Sequence, residues 1–92
     1  MDFDGKKQRN ALTGAENALR ALADGNGARA TKNAMSAARL DQIGAYAGLG
    51  EAVRVAAADV EDRGKVSSAS WDLLAGVVGD GPLGFLVEEL RR

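Results

Sequence analysis

The side chains that could support catalysis in this 92-residue chain are carboxylates, because the sequence contains no histidine and no cysteine. Histidine relays, histidine-dependent serine triads, imidazole metal sites and thiol chemistry are therefore excluded. Glu88 and Glu89 are adjacent and cannot share one face of a helix, whereas Asp59 and Arg63 can. The second pair is typical of a surface ion pair worth about 0.3 kcal/mol. We expect no catalytic residues, no metal ligands and no cofactor.

A glycine-rich segment at residues 44–50, Gly-Ala-Tyr-Ala-Gly-Leu-Gly, invites comparison with phosphate-binding loops. It follows no strand pattern and contains no lysine to reach a phosphate, so a nucleotide site is not expected. Two structures fit it. In the first, the segment is a loop and the next helix begins near Glu51. In the second, the helix begins near Ala45 and its glycines let a neighbouring backbone approach. We favour the second.

The charges nearly balance, since 12 basic and 13 acidic residues leave a net charge of −1. They are unevenly divided, because residues 1–40 hold seven basic and four acidic side chains and residues 41–92 hold five and nine. Such a division could steer head-to-tail contacts. The overall balance argues against a dedicated polyanion binder. The alternative hypothesis is a small regulatory nucleic-acid-binding protein, which would use the basic side chains Lys6, Lys7, Arg9, Arg20, Arg29 and Lys32.

The stretch from Ala11 to Ile43 predicts a helical hairpin around the turn Asp24–Gly27, where glycines can adopt positive φ. Apolar residues recur every three or four positions on both sides of that turn. They are Leu12, Ala15, Ala18, Leu19, Leu22 and Ala23 before it, and Ala30, Ala34, Ala37 and Leu40 after it. Alanine buries little apolar area, so close approach of the helices must replace large side chains.

Three further helices are predicted after the hairpin. The first has the cleanest apolar stripe, formed by Tyr46, Leu49, Val53, Ala56 and Val60. The second follows the N-cap serines of Ser67–Ser70, and the third follows the breaker Gly79–Pro82, where Asp80 can cap. The chain is expected to be one all-α domain, residues 1–92, a bundle of four to five short antiparallel helices. A polar lead-in at 1–9, with Asp2 or Asp4 as a cap, precedes helices at about 10–24, 28–43, 45–63, 68–78 and 82–91.

Within the hairpin, Ala18, Gly25, Ala30 and Ala37 have the spacing of the small-residue positions in a tetratricopeptide repeat. The hairpin therefore resembles one degenerate repeat of that family over residues 14–43. The family's bulky positions are occupied by Gly14, Asn17, Ala21 and Ala34, and its closing proline by Gln42. The resemblance implies a helical-hairpin scaffold, in a bundle or a tetratricopeptide-like array, that binds protein segments and carries no catalytic residues.

The leading functional hypothesis is a small non-catalytic module that binds a protein partner or a second copy of itself. A chain of 9.5 kDa with an alanine-rich core is near the size at which one core is barely sufficient. Trp71 fits a core anchor as well as a partner contact. The candidate contact residues are Tyr46, Trp71, Phe85 and Leu86. An enzyme subunit whose active site lies on another chain is a third option.

The location of the protein is predicted from three absences in the sequence, the first of which is cysteine, whose lack favours the cytosol. No apolar run approaches the ~20 residues needed to cross a bilayer, and the N-terminal residues lack the apolar region of a secretory signal. We therefore predict a cytoplasmic protein that does not bind membranes.

Overall fold

The computed structural model describes residues 3–92, and within that range it contains five α-helices and no strand. The helices are α1 (Gly5–Ala23), α2 (Gly27–Leu40), α3 (Leu49–Arg63), α4 (Ser68–Val78) and α5 (Pro82–Leu90). The prediction of an all-α helical bundle is confirmed. None of these helices, over the described range, has the length and hydropathy that crossing a bilayer requires.

Each helix packs against its neighbours in sequence, and α5 returns to contact α1. The helix α1 also contacts α3, so the five helices enclose one core whose largest fully buried side chains are leucines and valines. These are Leu19, Leu22, Leu49, Leu74, Val53 and Val87. Over residues 3–92, α2 contacts neither α4 nor α5. The outer face of α2 is therefore separate from the outer surface of the α4 and α5 pair.

The helices approach closely where glycine meets alanine. A Cβ atom added to Gly14 in α1 would lie 3.3 Å from the Cβ of Ala37 in α2. A Cβ atom on Gly27, at the start of α2, would lie 3.1 Å from the Cβ of Ala57 in α3. These distances are at the lower limit of normal contact, so the alanine-rich core depends on side chains being absent at both glycines.

The predicted polar lead-in at 1–9 is wrong for its second half, because α1 begins at Gly5. The carboxylate of Asp4 accepts hydrogen bonds from the backbone amides of Lys6 and Lys7 at 3.0 and 3.4 Å. This cap satisfies amides that have no partner within the helix, so the helix extends over charged residues that show no apolar stripe. The alternative cap, Asp2, lies outside the described residues.

The preferred helix start near Ala45 is also wrong, since α2 ends at Leu40 and α3 begins at Leu49. The residues between them form a loop in which Gly44 and Gly48 have φ values of +71° and +85°. Only glycine adopts such angles readily, so both positions break the helix. A Cβ atom on Gly44 or Gly50 would meet no atom within 4 Å, and one on Gly48 would meet only the Val77 side chain at 3.9 Å. No neighbouring backbone therefore approaches these glycines closely, which removes the proposed reason for them.

The first residues of α4 and α5 show two different kinds of helix start. The Ser67 hydroxyl caps α4 by accepting a hydrogen bond from the Ser70 amide at 3.2 Å. Before α5 the N-cap residue is Gly81, with no side-chain cap, so the predicted Asp80 cap is wrong. Gly81 has φ +119°, and Pro82 begins the helix without an amide that would need an acceptor.

Candidate functional site

The four predicted partner-contact residues differ widely in exposure. Trp71 and Leu86 are each 7% exposed and belong to the core, and Tyr46 is half-buried against it. Phe85 is 77% exposed. Trp71 is therefore the core anchor that the sequence also allowed, and Leu86 is corrected to a core residue, because neighbouring helices cover both side chains. Phe85 presents its ring to solvent.

Phe85 stands at a groove between α4 and α5 with a volume of about 440 Å³. We call this the α4–α5 groove, and it is lined by Ala75, Gly76, Gly79, Asp80, Gly81, Gly84, Phe85 and Glu88. Four of these eight lining residues are glycines, which carry no side chain. At Gly84 the lack of a side chain is obligatory, since a Cβ atom would collide with the carbonyl oxygen of Gly79. The lining contains two carboxylates, those of Asp80 and Glu88, and no cation.

A second apolar depression, of about 500 Å³, lies on the outer side of α2. We call it the α2 face, and its lining residues are Ala28, Thr31, Lys32, Met35, Ala38 and Arg39. The buried side of α2 is formed by alanines, so Met35 points away from the core and is 59% exposed. Lys32 and Arg39 precede and follow Met35 by three and four residues, which places all three on one side of the helix. The lining contains no carboxylate.

The basic residues proposed for nucleic acid are all exposed, but the structure divides them. Lys6, Lys7 and Arg9 lie at the start of α1 and Arg20 lies in its last turn. A 19-residue helix is about 28 Å long. Arg20 does share a shallow depression with Arg29, but Asp24 lies in it as well. The six side chains therefore do not form one continuous patch.

A different basic set meets at one end of the bundle, in a cleft of about 580 Å³. We call it the basic cleft, and its charged lining residues are Arg63, Lys65, Arg91 and Arg92, with no carboxylate. Nη2 of Arg91 is 2.7 Å from Oδ1 of Asp72, and this hydrogen bond raises the pKa of the guanidinium above its usual value. The sequence offered no local signal for the cleft, because the residues at the end of α3 and those just after α5 come to line one cleft only in the folded chain.

Asp59 forms a hydrogen-bonded cluster with Ser67 and Ser70, which joins the end of α3 to the start of α4. Its Oδ2 accepts from the Ser67 hydroxyl at 2.7 Å, from the Ser67 amide at 3.2 Å and from the Ser70 hydroxyl. The Ser70 hydrogen bond, followed by those of Ser67, lowers the pKa of Asp59. A carboxylate of lowered pKa is a weak general base, so this cluster holds two helices together and is not suited to proton transfer. The partners of the Asp59 carboxylate are thus Ser67 and Ser70, whereas the sequence predicts a surface ion pair with Arg63.

A second polar cluster surrounds Asp41, directly after α2. Its carboxylate accepts hydrogen bonds from the Gln8 side chain at 3.0 Å and from the backbone amides of Ile43, Ala45 and Tyr46. Partial burial raises the pKa of Asp41, but the hydrogen bonds from Gln8 and from the three amides outweigh it and lower the pKa overall. The loop amides are thus satisfied by a side chain, which explains why the segment does not need to be helical.

No three aspartate or glutamate side chains in residues 3–92 lie close enough together to hold a metal ion. Comparisons of the chain with protein-family models, curated proteins and solved structures find no match. The function must therefore be inferred from the surfaces described above.

Proposed function

We propose that this protein is a small non-catalytic interaction module that binds other copies of itself. The observation that carries this proposal is the exposure of the Phe85 ring beside a groove in which four of the eight lining residues are glycines. A buried aromatic side chain removes about 150–250 Å² from water, and aromatic residues are enriched at protein interfaces. A ring next to an empty groove is a ready contact for another protein surface.

The small core supports self-association as the form of binding. Most of the buried hydrophobic residues in α1 and α2 are alanines, which contribute little apolar area. Other large apolar side chains, including Met35, Leu73 and Val55, remain exposed on the helices. Association would bury some of this surface and add to the stability of the fold.

Light scattering over a dilution series tests the proposal. We expect the wild-type chain to show a mass above 9.5 kDa at high concentration, falling to that value on dilution. Phe85→Ser should move the transition to at least about tenfold higher concentration, the effect of losing a central aromatic contact. Ile43→Ser is the matched control, because Ile43 is 66% exposed and lies outside the α4–α5 groove and the α2 face. A wild-type chain that stays monomeric at all concentrations would overturn the proposal.

A second candidate function, binding of a nucleic-acid backbone, is favoured by the basic cleft. Four cations line that cleft, of which Arg91 is paired with Asp72, although the chain as a whole is nearly neutral. Retention on immobilised DNA or RNA should then fall steeply with salt, and Lys65→Ser with Arg92→Ser should weaken it. Lys6→Ser with Lys7→Ser tests the N-terminal set in the same way. Retention that does not change between low and moderate salt would exclude this function.

A further inference from the structure

We infer that the copies associate head to tail, with the α2 face of one chain seated in the α4–α5 groove of the next. This inference rests on the proposed self-association and names the two surfaces that would meet. Both are shallow, apolar and similar in volume, at about 500 and 440 Å³. They differ in the sign of their charges.

Charge complementarity selects this pairing over a symmetric one. The α2 face carries Lys32 and Arg39, whereas the α4–α5 groove carries Asp80 and Glu88. Two α2 faces brought together would oppose cations with cations, and two grooves would oppose carboxylates with carboxylates. Only the unlike pairing places cations next to carboxylates, and like charges across an interface are strongly unfavourable.

The shapes of the two surfaces also agree with this pairing. Met35 projects from the α2 face, and a methionine side chain is unbranched and flexible enough to fill an irregular gap. The gap is available in the groove at Gly76 and Gly79, where an added Cβ atom would meet no atom within 4 Å. Phe85 at the rim would meet the α2 face near Lys32 or Arg39, where a cation over an aromatic ring is attractive.

The positions of the two surfaces on one chain decide the kind of assembly. Because α2 contacts neither α4 nor α5 over residues 3–92, a chain can use its α2 face and its groove at the same time. An interface between unlike surfaces generates a ring if the rotation closes and an open filament if it does not.

The two carboxylates of the groove are not equally free to take a new partner. Glu88 already lies 3.6 Å from Nη1 of Arg91, so Asp80 is the carboxylate better placed to take a new partner.

Mixing two complementary variants tests the head-to-tail arrangement. Met35→Glu disables the α2 face and keeps the groove, whereas Phe85→Ser disables the groove and keeps the α2 face. We expect each variant alone to associate at least about tenfold more weakly than the wild type. An equimolar mixture should form a 1:1 complex of two chains and no larger species, because only one intact interface remains. Circular dichroism shows whether each variant keeps its helices, and Ile43→Ser serves again as the control.

The possible outcomes distinguish a failure of the head-to-tail pairing from a failure of the proposed self-association. A monomeric wild type overturns the self-association itself. A wild type that associates, together with variants that do not combine on mixing, overturns only the head-to-tail pairing. Association that strengthens with added salt would also contradict the pairing, because attraction between opposite charges is screened by salt.

Discussion

Nε2 of Gln8 donates a hydrogen bond of 3.0 Å to Oδ1 of Asp41, a residue 33 positions later in the chain. The carbonyl oxygen of the same Gln8 side chain accepts from the Gln42 amide at 2.8 Å. The Gln42 side chain in turn donates to the Asp4 carbonyl at 2.7 Å. These contacts attach the start of α1 to the loop that follows α2, so the open end of the hairpin is closed by polar groups.

Asp41→Ala should lower the free energy of unfolding by about 1–2 kcal/mol, because the Gln8 side chain and three backbone amides lose their acceptor. Urea denaturation followed by circular dichroism measures the effect. Asp62→Ala is the matched control, since Asp62 is an exposed aspartate on α3. Equal midpoints for the two variants would show that the Asp41 hydrogen bonds contribute nothing to stability.

Acid should destabilise the fold partly through Asp59, whose pKa is below its ordinary value of 3.8 because Ser70, and then Ser67, donate to it. As pH falls, the unfolded chain binds a proton at this position before the folded chain does. The contribution of Asp59 is therefore complete above about pH 5 and is lost as pH falls through 4 towards the folded pKa.

Ser70→Ala removes the largest cause of that shift and should make stability less dependent on pH in the acid range. Ser68→Ala is the control, because Ser68 is exposed in the same turn. Unfolding free energies measured at several pH values report both variants. A Ser70→Ala variant with an unchanged slope between pH 5 and 3 would contradict the role given to this hydrogen bond.

Tyr46 should ionise above its ordinary pKa of 10.0, because burial raises the pKa and the charges of Asp41 and Glu16 raise it further. Its contribution to stability is present below pH 10 and is lost as pH rises through the folded pKa. The chain has one tyrosine, so the ultraviolet absorbance of the phenolate reports this group alone.

Glu16→Gln should lower the Tyr46 pKa by a small amount and leave the hydrogen bonds around Asp41 intact. In this variant the Tyr46 pKa should still lie further above 10.0 than the substitution lowers it, because burial is the largest cause of the raised pKa. Circular dichroism at each pH establishes that the chain is still folded during the titration. A wild-type midpoint at 10 in the folded chain would contradict the burial of the ring.

Two glycine substitutions should have opposite effects. Gly27→Ala places a Cβ atom 3.1 Å from the Cβ of Ala57 and 3.2 Å from its carbonyl oxygen, so α2 and α3 must move apart. We expect a loss of about 1–3 kcal/mol, which is typical of an overfilled core. Gly50→Ala meets no atom within 4 Å and should stabilise α3 by up to about 1 kcal/mol. Thermal unfolding distinguishes them, and a stabilised Gly27→Ala variant would refute the close approach of α2 and α3.

Local interactions in the sequence account for what could be predicted about this fold. The spacing of Leu49, Val53 and Ala56 places them on one side of α3, and all three are buried. The starts of α4 and α5 depend on Ser67 and Pro82, whose effects reach only the first turn of each helix. The tetratricopeptide resemblance and the binding function stay predictions.

The tertiary structure decided where the loop between α2 and α3 begins, which large side chains are buried and which charged side chains lie close together. Helix period and capping depend on residues three or four positions apart, so the sequence could determine them without knowledge of packing. The hydrogen bond between Gln8 and Asp41 requires the start of α1 to lie beside the loop after α2. The basic cleft requires residues at the end of α3 and just after α5 to line the same cavity. Phe85 and Leu86 are neighbours in sequence, yet one is exposed and one is buried, because packing covers only one side of α5.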